Sequence, residues 1–278
     1  MKKSAIIVAS LAIIVGCANV PDEQLVADYQ AKIESLSDTL KTRMQAIAQD
    51  TTKTAEEIDA AQEAIYDEIT DQVKDEAVAT IKKHPASAVA IEALKDVYYM
   101  LDNDELEGLL AKLKGDVAED EFVQKIKASL AAKKATVEGS MFTDFTIVQD
   151  EENPDSTTVK LSDYVGKGKY VLVDFWASWC GPCKAEIPNI ASVYETYKGE
   201  DFDVLSIAVW DKPEDTKVAA VEHGVVWNQI INAQKIPTDL YGIDGIPHII
   251  LFGPDGTILK RDLRGEDIAK AVSEALGR

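Results

Sequence analysis

The chain has 278 residues, 46% of them hydrophobic, and its 49 acidic against 29 basic side chains give a formal net charge of −20. That apolar content supports one large core or two smaller ones. The acidic excess excludes a nucleic-acid binder, whose phosphates demand Lys and Arg, and fits a solvated surface or the steering of basic partners.

Residues 1–16 read as a signal peptide: Lys2 and Lys3 form a positive start, and Ala5 to Val15 an apolar run too short to span a bilayer comfortably. The stretch ends Ile14-Val15-Gly16-Cys17, which resembles a bacterial lipobox, in which the cysteine is lipidated and becomes the mature N-terminus. An ordinary signal peptide with a chance cysteine and a retained membrane anchor are the alternatives. Nothing later in the sequence is long and apolar enough to cross a membrane. The expectation is a lipid-anchored protein on the periplasmic face of a bacterial membrane.

From residue 17 to 138 the chain reads as an all-α domain. Between Asn19 and Glu138, glycine occurs only at 108 and 115 and proline only at 21 and 85, while apolar residues recur at helical spacing. Leu25, Tyr29, Ile33, Leu36 and Leu40 form one stripe; Ile58, Ala61, Ile65, Ile69 and Val73 form another. The pattern predicts a long helix or helical pair from about 22 to His84, then helices over 87–101, 104–114 and 119–134. Asp102 to Asp104 and Gly115-Asp116 supply stops and caps. No catalytic constellation stands out here, and the stripes read as core or as a surface for a homodimer.

At Gly139 the composition changes: all four tryptophans lie beyond it. Residues 142–166 predict two short strands joined by an Asn-Pro-Asp turn, with a short helical segment after them. KYVLVDFWA and FDVLSIAVW read as buried strands, 184–198 and 214–223 as helices, the first kinked at Pro188. HIILFGP and TILKRDL flank Asp255-Gly256 as an antiparallel hairpin, and 266–276 is a terminal helix. Residues 139–278 are thus expected to be an α/β domain with a mixed sheet.

Cys180-Gly181-Pro182-Cys183 sits between a strand and a helix. A zinc clip would need a second pair or histidines, and His84, His223 and His248 are far apart. A purely structural disulfide would close a four-residue loop of little use to a fold this size. A redox pair has a mechanism: Cys180 at the helix N-terminus, where free amides and the macrodipole favour a thiolate, as exposed nucleophile, and Cys183 one turn on as the resolving thiol. No cofactor and no metal are expected.

VLVDFWASWCGPCKAEIPNI and GIDGIPHIILFGPDGTILKR resemble thioredoxin, and residues 139–278 resemble the TlpA/ResA-type family of membrane-attached thiol–disulfide oxidoreductases. The helical half resembles the variable extensions of such lipoproteins. The resemblance implies a thioredoxin fold, a mixed central sheet flanked by helices. It implies that Asp174 is the buried carboxylate that exchanges a proton with Cys183, and that Glu186 is an active-site glutamate. Trp179 would lie beside Cys180 and touch substrate, with Trp176 packed beneath. Ile246-Pro247 would be the family's cis-proline pair, the Ile246 backbone pairing with an extended substrate segment. His248 departs from the threonine that thioredoxin has there, and the lysine that thioredoxin pairs with its buried aspartate has no counterpart in VLSIAVWD.

The function that follows is reduction of protein disulfides through Cys180 and Cys183 by way of a mixed disulfide, reset by a membrane-bound thiol electron donor. Two alternatives stand beside it: a peroxiredoxin-like thiol peroxidase, suggested by DFTIVQ and LSDYVGK, and a helical binding or chaperone scaffold with secondary redox activity.

Overall fold

The computed structural model describes residues 20–278, with the side chain of Asp155 excepted; Cys17 and the signal segment lie outside the described residues. The chain divides between Val123 and Gln124 into two compact units.

The first unit is helical: α1 (Asp22–Ala48), α2 (Ala55–Lys83), α3 (Val89–Val97) and α4 (Asn103–Leu110), with short 3₁₀ turns at 98–100 and 115–119. The long apolar stretch is therefore a pair of helices. Between them the Asp50 carboxylate accepts the Thr52 N–H and hydroxyl, and Thr54 with Glu57 closes a capping box on α2. Asp102 and Glu105 repeat that device on α4. α2 packs against both α1 and α3, burying Ile65, Ile69, Ala77 and Ile81. The Tyr29 hydroxyl ties α1 to α3 by donating to Asp96 Oδ2 at 2.8 Å. Among the described residues, no helix is long and apolar enough to cross a membrane.

The second unit opens within α5 (Glu121–Ala135), then β1 (Thr146–Val148), the single turn α6 (Pro154–Thr157) and β2 (Thr158–Lys160), which pairs antiparallel with β1. The main sheet has five strands in the order β5-β4-β3-β6-β7: β3 (Tyr170–Trp176), β4 (Phe202–Ala208), β5 (Asn228–Ile230), β6 (His248–Phe252) and β7 (Ile258–Arg261). β3, β4 and β5 run parallel; β6 and β7 run antiparallel to their neighbours. The helices are α7 (Gly181–Tyr197), α8 (Pro213–Glu222), α9 (Ile236–Tyr241) and α10 (Glu266–Leu276).

Two-residue alternation sends the sheet's side chains into two cores. Leu172, Trp176, Val204, Ile249 and Leu251 meet Ile187, Ile190 and Val193 of α7 and Ile268 and Val272 of α10. Val171, Val173, Phe175, Leu205, Ile207 and Ile250 meet Phe145, Ile147, Leu161 and Tyr241. Both faces are covered, which is why β3 and β4 read as continuous apolar runs. This mixed sheet with helices on both faces is the thioredoxin fold.

The end of α5 is fastened to this sheet unit. Ser129 Oγ and Lys133 Nζ reach Asp244 at 2.8 and 2.6 Å, and Arg261 donates to the Thr136 carbonyl at 2.6 Å. Gly242, which ends α9 with φ +61°, lies so close to α5 that an added Cβ would stand 2.5 Å from the Ser129 carbonyl oxygen and 2.7 Å from the Lys133 nitrogen. Gly242→Ala is expected to cost at least ~2 kcal/mol, from the left-handed backbone and the forced shift of α5 together. The urea midpoint measures this; an unchanged midpoint would mean that α5 moves aside freely.

Candidate active site

The carboxyl end of β3 delivers the site. Past Trp176, the Cys180 N–H donates to the Ala177 carbonyl, and Cys180 becomes the N-cap of α7. Its sulfur stands where a serine oxygen caps other helices: the Cys183 N–H donates to Cys180 Sγ at 3.1 Å. Pro182 fits the first turn because the N–H it lacks would have no partner there. Cys180 and Cys183 form a disulfide. Cys180 Sγ also lies 3.7 Å from the Ile246 carbonyl oxygen, and the Ile246–Pro247 bond is cis. The structure thus brings together both cysteines and the loop whose backbone is expected to receive substrate.

One expectation changes. Cys180 reads in sequence as an exposed nucleophile, yet in the disulfide form it is only 3% exposed, beside Cys183 at 1%. Both cysteines belong to the core cluster that holds Trp176 and Ile187, with Ile246 packed against it and its carbonyl 3.7 Å from Cys180 Sγ. Trp179 does stand out, 59% exposed, with its indole N–H donating to the Trp210 carbonyl at 3.0 Å. Trp176 is buried in the core beneath.

A buried carboxylate braces the loop from behind. Asp211 accepts the Ser178 N–H at 2.6 Å, the Ser178 hydroxyl at 2.9 Å and the Thr216 hydroxyl at 2.9 Å. It follows the end of β4, next to the end of β3, so the parallel pairing places it there. Its signal in sequence is an aspartate just past a buried strand, at the sheet edge where α/β folds build their sites.

Asp174 is 2% exposed, in the middle of β3, with Ser206 of β4 and Ile249 of β6 as its cross-strand partners. It shares a face with Leu172 and Trp176, the face covered by Cys183 and α7. Burial pushes its pKa up to about 7, which Glu186's charge reinforces and the Ser206 hydroxyl and the Arg264 charge oppose. Ser206 Oγ donates to Asp174 Oδ2 at 3.3 Å and accepts the Trp227 indole N–H at 2.8 Å. Ser206 thus occupies the register position opposite the aspartate, where the sequence shows no lysine.

Glu186 is placed differently from an acid facing the sulfurs. Its two oxygens accept the Gly265 N–H at 3.2 and 3.0 Å, and Oε2 also accepts the Asn189 amide at 2.8 Å. It fastens α7 to the start of α10. Arg264, the residue before Gly265, donates to the Pro247 carbonyl and pairs with Asp262 Oδ1 at 2.8 Å. His248 completes this cluster: Arg261 can only donate, so His248 Nε2, 3.2 Å away, accepts, which assigns the ring proton to Nδ1, 3.2 Å from Asp262 Oδ1. Burial lowers the His248 pKa, in keeping with a neutral ring. The hydrogen bond from His248 holds Asp262 below the usual carboxylate range. Ser206, Asp211, Trp227 and Arg264 were not singled out by sequence reasoning. Among the described residues, no cluster of three or more His, Cys, Asp or Glu side chains is placed to hold a metal ion.

A thioredoxin fold with a vicinal Cys-Gly-Pro-Cys disulfide at a helix start and a cis-proline against it defines a thiol–disulfide oxidoreductase domain. Residues 139–261 of the chain match the AhpC/TSA family. The chain is 28% identical over 133 residues to the thiol-disulfide oxidoreductase ResA of Bacillus subtilis, covering 48% of this chain and 71% of that protein. It is 32% identical over 120 residues to the ResA of Oceanobacillus iheyensis, covering 43% of this chain and 62% of that one, less than two thirds. The solved thioredoxin domain of a Bacteroides vulgatus thiol-disulfide oxidoreductase is 35% identical, covering 50% of this chain and 96% of that one, with a TM-score of 0.44.

Proposed function

We propose that the protein reduces protein disulfides outside the cytoplasm, tethered to a membrane by lipid on Cys17. The observation that carries the chemistry is the placing of Cys180 Sγ, at the N-cap of α7 and 3.7 Å from the Ile246 carbonyl of the cis-proline loop. A client strand lying along that loop would present its disulfide to this sulfur.

In the dithiol form the Cys180 thiolate attacks one client sulfur. The client S–S bond breaks, a mixed disulfide forms, and the first client thiolate leaves and takes a proton from solvent. Cys183 then gives its proton to Asp174 and attacks Cys180 Sγ. The mixed disulfide breaks, the Cys180–Cys183 bond forms, and the second client thiolate leaves. Two electrons pass from dithiol to client. A membrane-bound thiol donor would return them.

The reducing direction rests on the resemblance to thioredoxin of Gly181-Pro182 and of Ile246 before the proline. The divisions 1–16 as leader, 17–138 as helical domain and 139–278 as redox domain belong to the same reading, as does a homodimer formed through the helices.

Equilibration of the protein with glutathione or dithiothreitol, with free thiols counted by mass tag, tests this reading. A reduction potential near about −270 mV is expected of a reductase, whereas about −120 mV would mark a disulfide donor and reverse the direction.

A further inference from the structure

The buried chain Trp227–Ser206–Asp174 contains a constraint that fixes proton positions. Indole Nε1–H is a donor and nothing else, so Ser206 Oγ, 2.8 Å from it, accepts. A hydroxyl has one proton, and the Ser206 hydroxyl spends it on Asp174 Oδ2, 3.3 Å away. All three side chains are buried, Trp227 to 5%, Ser206 to 1% and Asp174 to 2% exposure. The reverse arrangement, with a proton on Oδ2 donated to Ser206, would leave the serine proton without an acceptor in a place where a missing hydrogen bond is costly. Asp174 Oδ1 is itself buried and has no hydrogen-bond partner among the described residues.

We propose that Trp227 and Ser206 are positioning residues that commit Asp174 Oδ2 to accepting in both protonation states, so that Oδ1 takes up and releases the proton exchanged with Cys183. The inference rests on Asp174 acting as that proton partner. The serine offers a dipole rather than a charge, so the aspartate keeps its proton affinity high in the core. The charges acting on it come from elsewhere, Glu186 on α7 and Arg264 ahead of α10.

Infrared difference spectroscopy of the full chain across an acid titration reads the assignment. The carbonyl stretch of protonated Asp174 is identified by its loss in Asp174→Asn. If Oδ1 carries the proton, the carbonyl is Cγ=Oδ2, and it accepts from Ser206. Ser206→Ala removes that bond and is expected to move the band to higher wavenumber and the titration midpoint upward from about 7. The resolving step at neutral pH, read as decay of a mixed disulfide, is expected to slow roughly threefold to tenfold, the worth of one such bond.

Trp227→Phe frees the serine to accept from Oδ2–H, so the band is expected to split and the midpoint to rise. An unchanged band and midpoint in both variants would mean that neither protonation state of Asp174 depends on the Ser206 bond, and would overturn the proposal. A band that moves as expected, with Asp174→Asn resolving mixed disulfides at the wild-type rate, would keep the positioning and remove the proton-exchange role instead.

Discussion

Cys183→Ser is expected to leave the protein covalently bound to its client. With the resolving sulfur gone, Cys180 still attacks a disulfide, and the product stays as a mixed disulfide that dithiothreitol releases. Cys180→Ser should trap nothing and lose disulfide reduction by about a hundredfold or more. Burial does not choose between the two sulfurs, since both are covered in the disulfide form. Position does. Cys180 Sγ receives the Cys183 N–H at the start of a 17-residue helix, where a negative sulfur is stabilised, and it lies beside the Ile246 carbonyl of the loop proposed to receive a client. Cys183 lies inside the first turn, packed with Trp176 and Ile187. Non-reducing gels of each variant mixed with a disulfide-bonded protein would show the difference. A client held by Cys180→Ser, through Cys183, would reverse the two roles.

The features legible in the sequence were those written locally. The two cysteines, the proline between them and the capping residue of α4 act within one turn of chain. The Ile246–Pro247 pair stands directly before a strand, and the apolar runs of β3 and β4 announce a sheet covered on both faces. Two short elements carried no periodic signal: β5 is three residues with a polar start, and α9 is six residues beginning Ile-Pro. The site's supporting groups were hidden for a different reason. Ser206 matters because β4 lies in register beside β3, Trp227 because it reaches across 21 residues to that serine, and Arg264 because its side chain returns to the Pro247 carbonyl. None of these follows from spacing along the chain. Glu186 illustrates the converse: a position one turn past Cys183 is readable, but whether its carboxylate faces a sulfur or a backbone amide is decided by where α10 begins. Likewise the carbonyl that stands against Cys180 comes from a loop 66 residues away.

Asp174→Asn is expected to make the oxidised protein more stable and a worse catalyst. An aspartate in the unfolded chain releases its proton near 3.8, while the buried native side chain holds it to about 7. Between those values folding takes up a proton, so wild-type stability falls as pH rises through about 4 to 7, and above that the whole cost of a buried charge is present. At 1.36 kcal/mol for each tenfold of proton affinity, that cost is about 4 kcal/mol as an upper bound. The asparagine carries no charge, so this fall should be absent from its profile, leaving it close to wild type at pH 4 and more stable than wild type by a few kcal/mol at pH 8. Urea midpoints of the two proteins at pH 4, 6 and 8 give the comparison directly. Parallel pH profiles would mean that some other group takes up the proton. The same substitution should slow resolution of the mixed disulfide by roughly a hundredfold, the lower range for loss of a positioned proton acceptor. A residue that weakens the fold at neutral pH, and whose removal costs turnover, is kept for its chemistry. A core that held this position only for packing would fill it with an apolar side chain, as it does at Leu172 and Trp176 on either side.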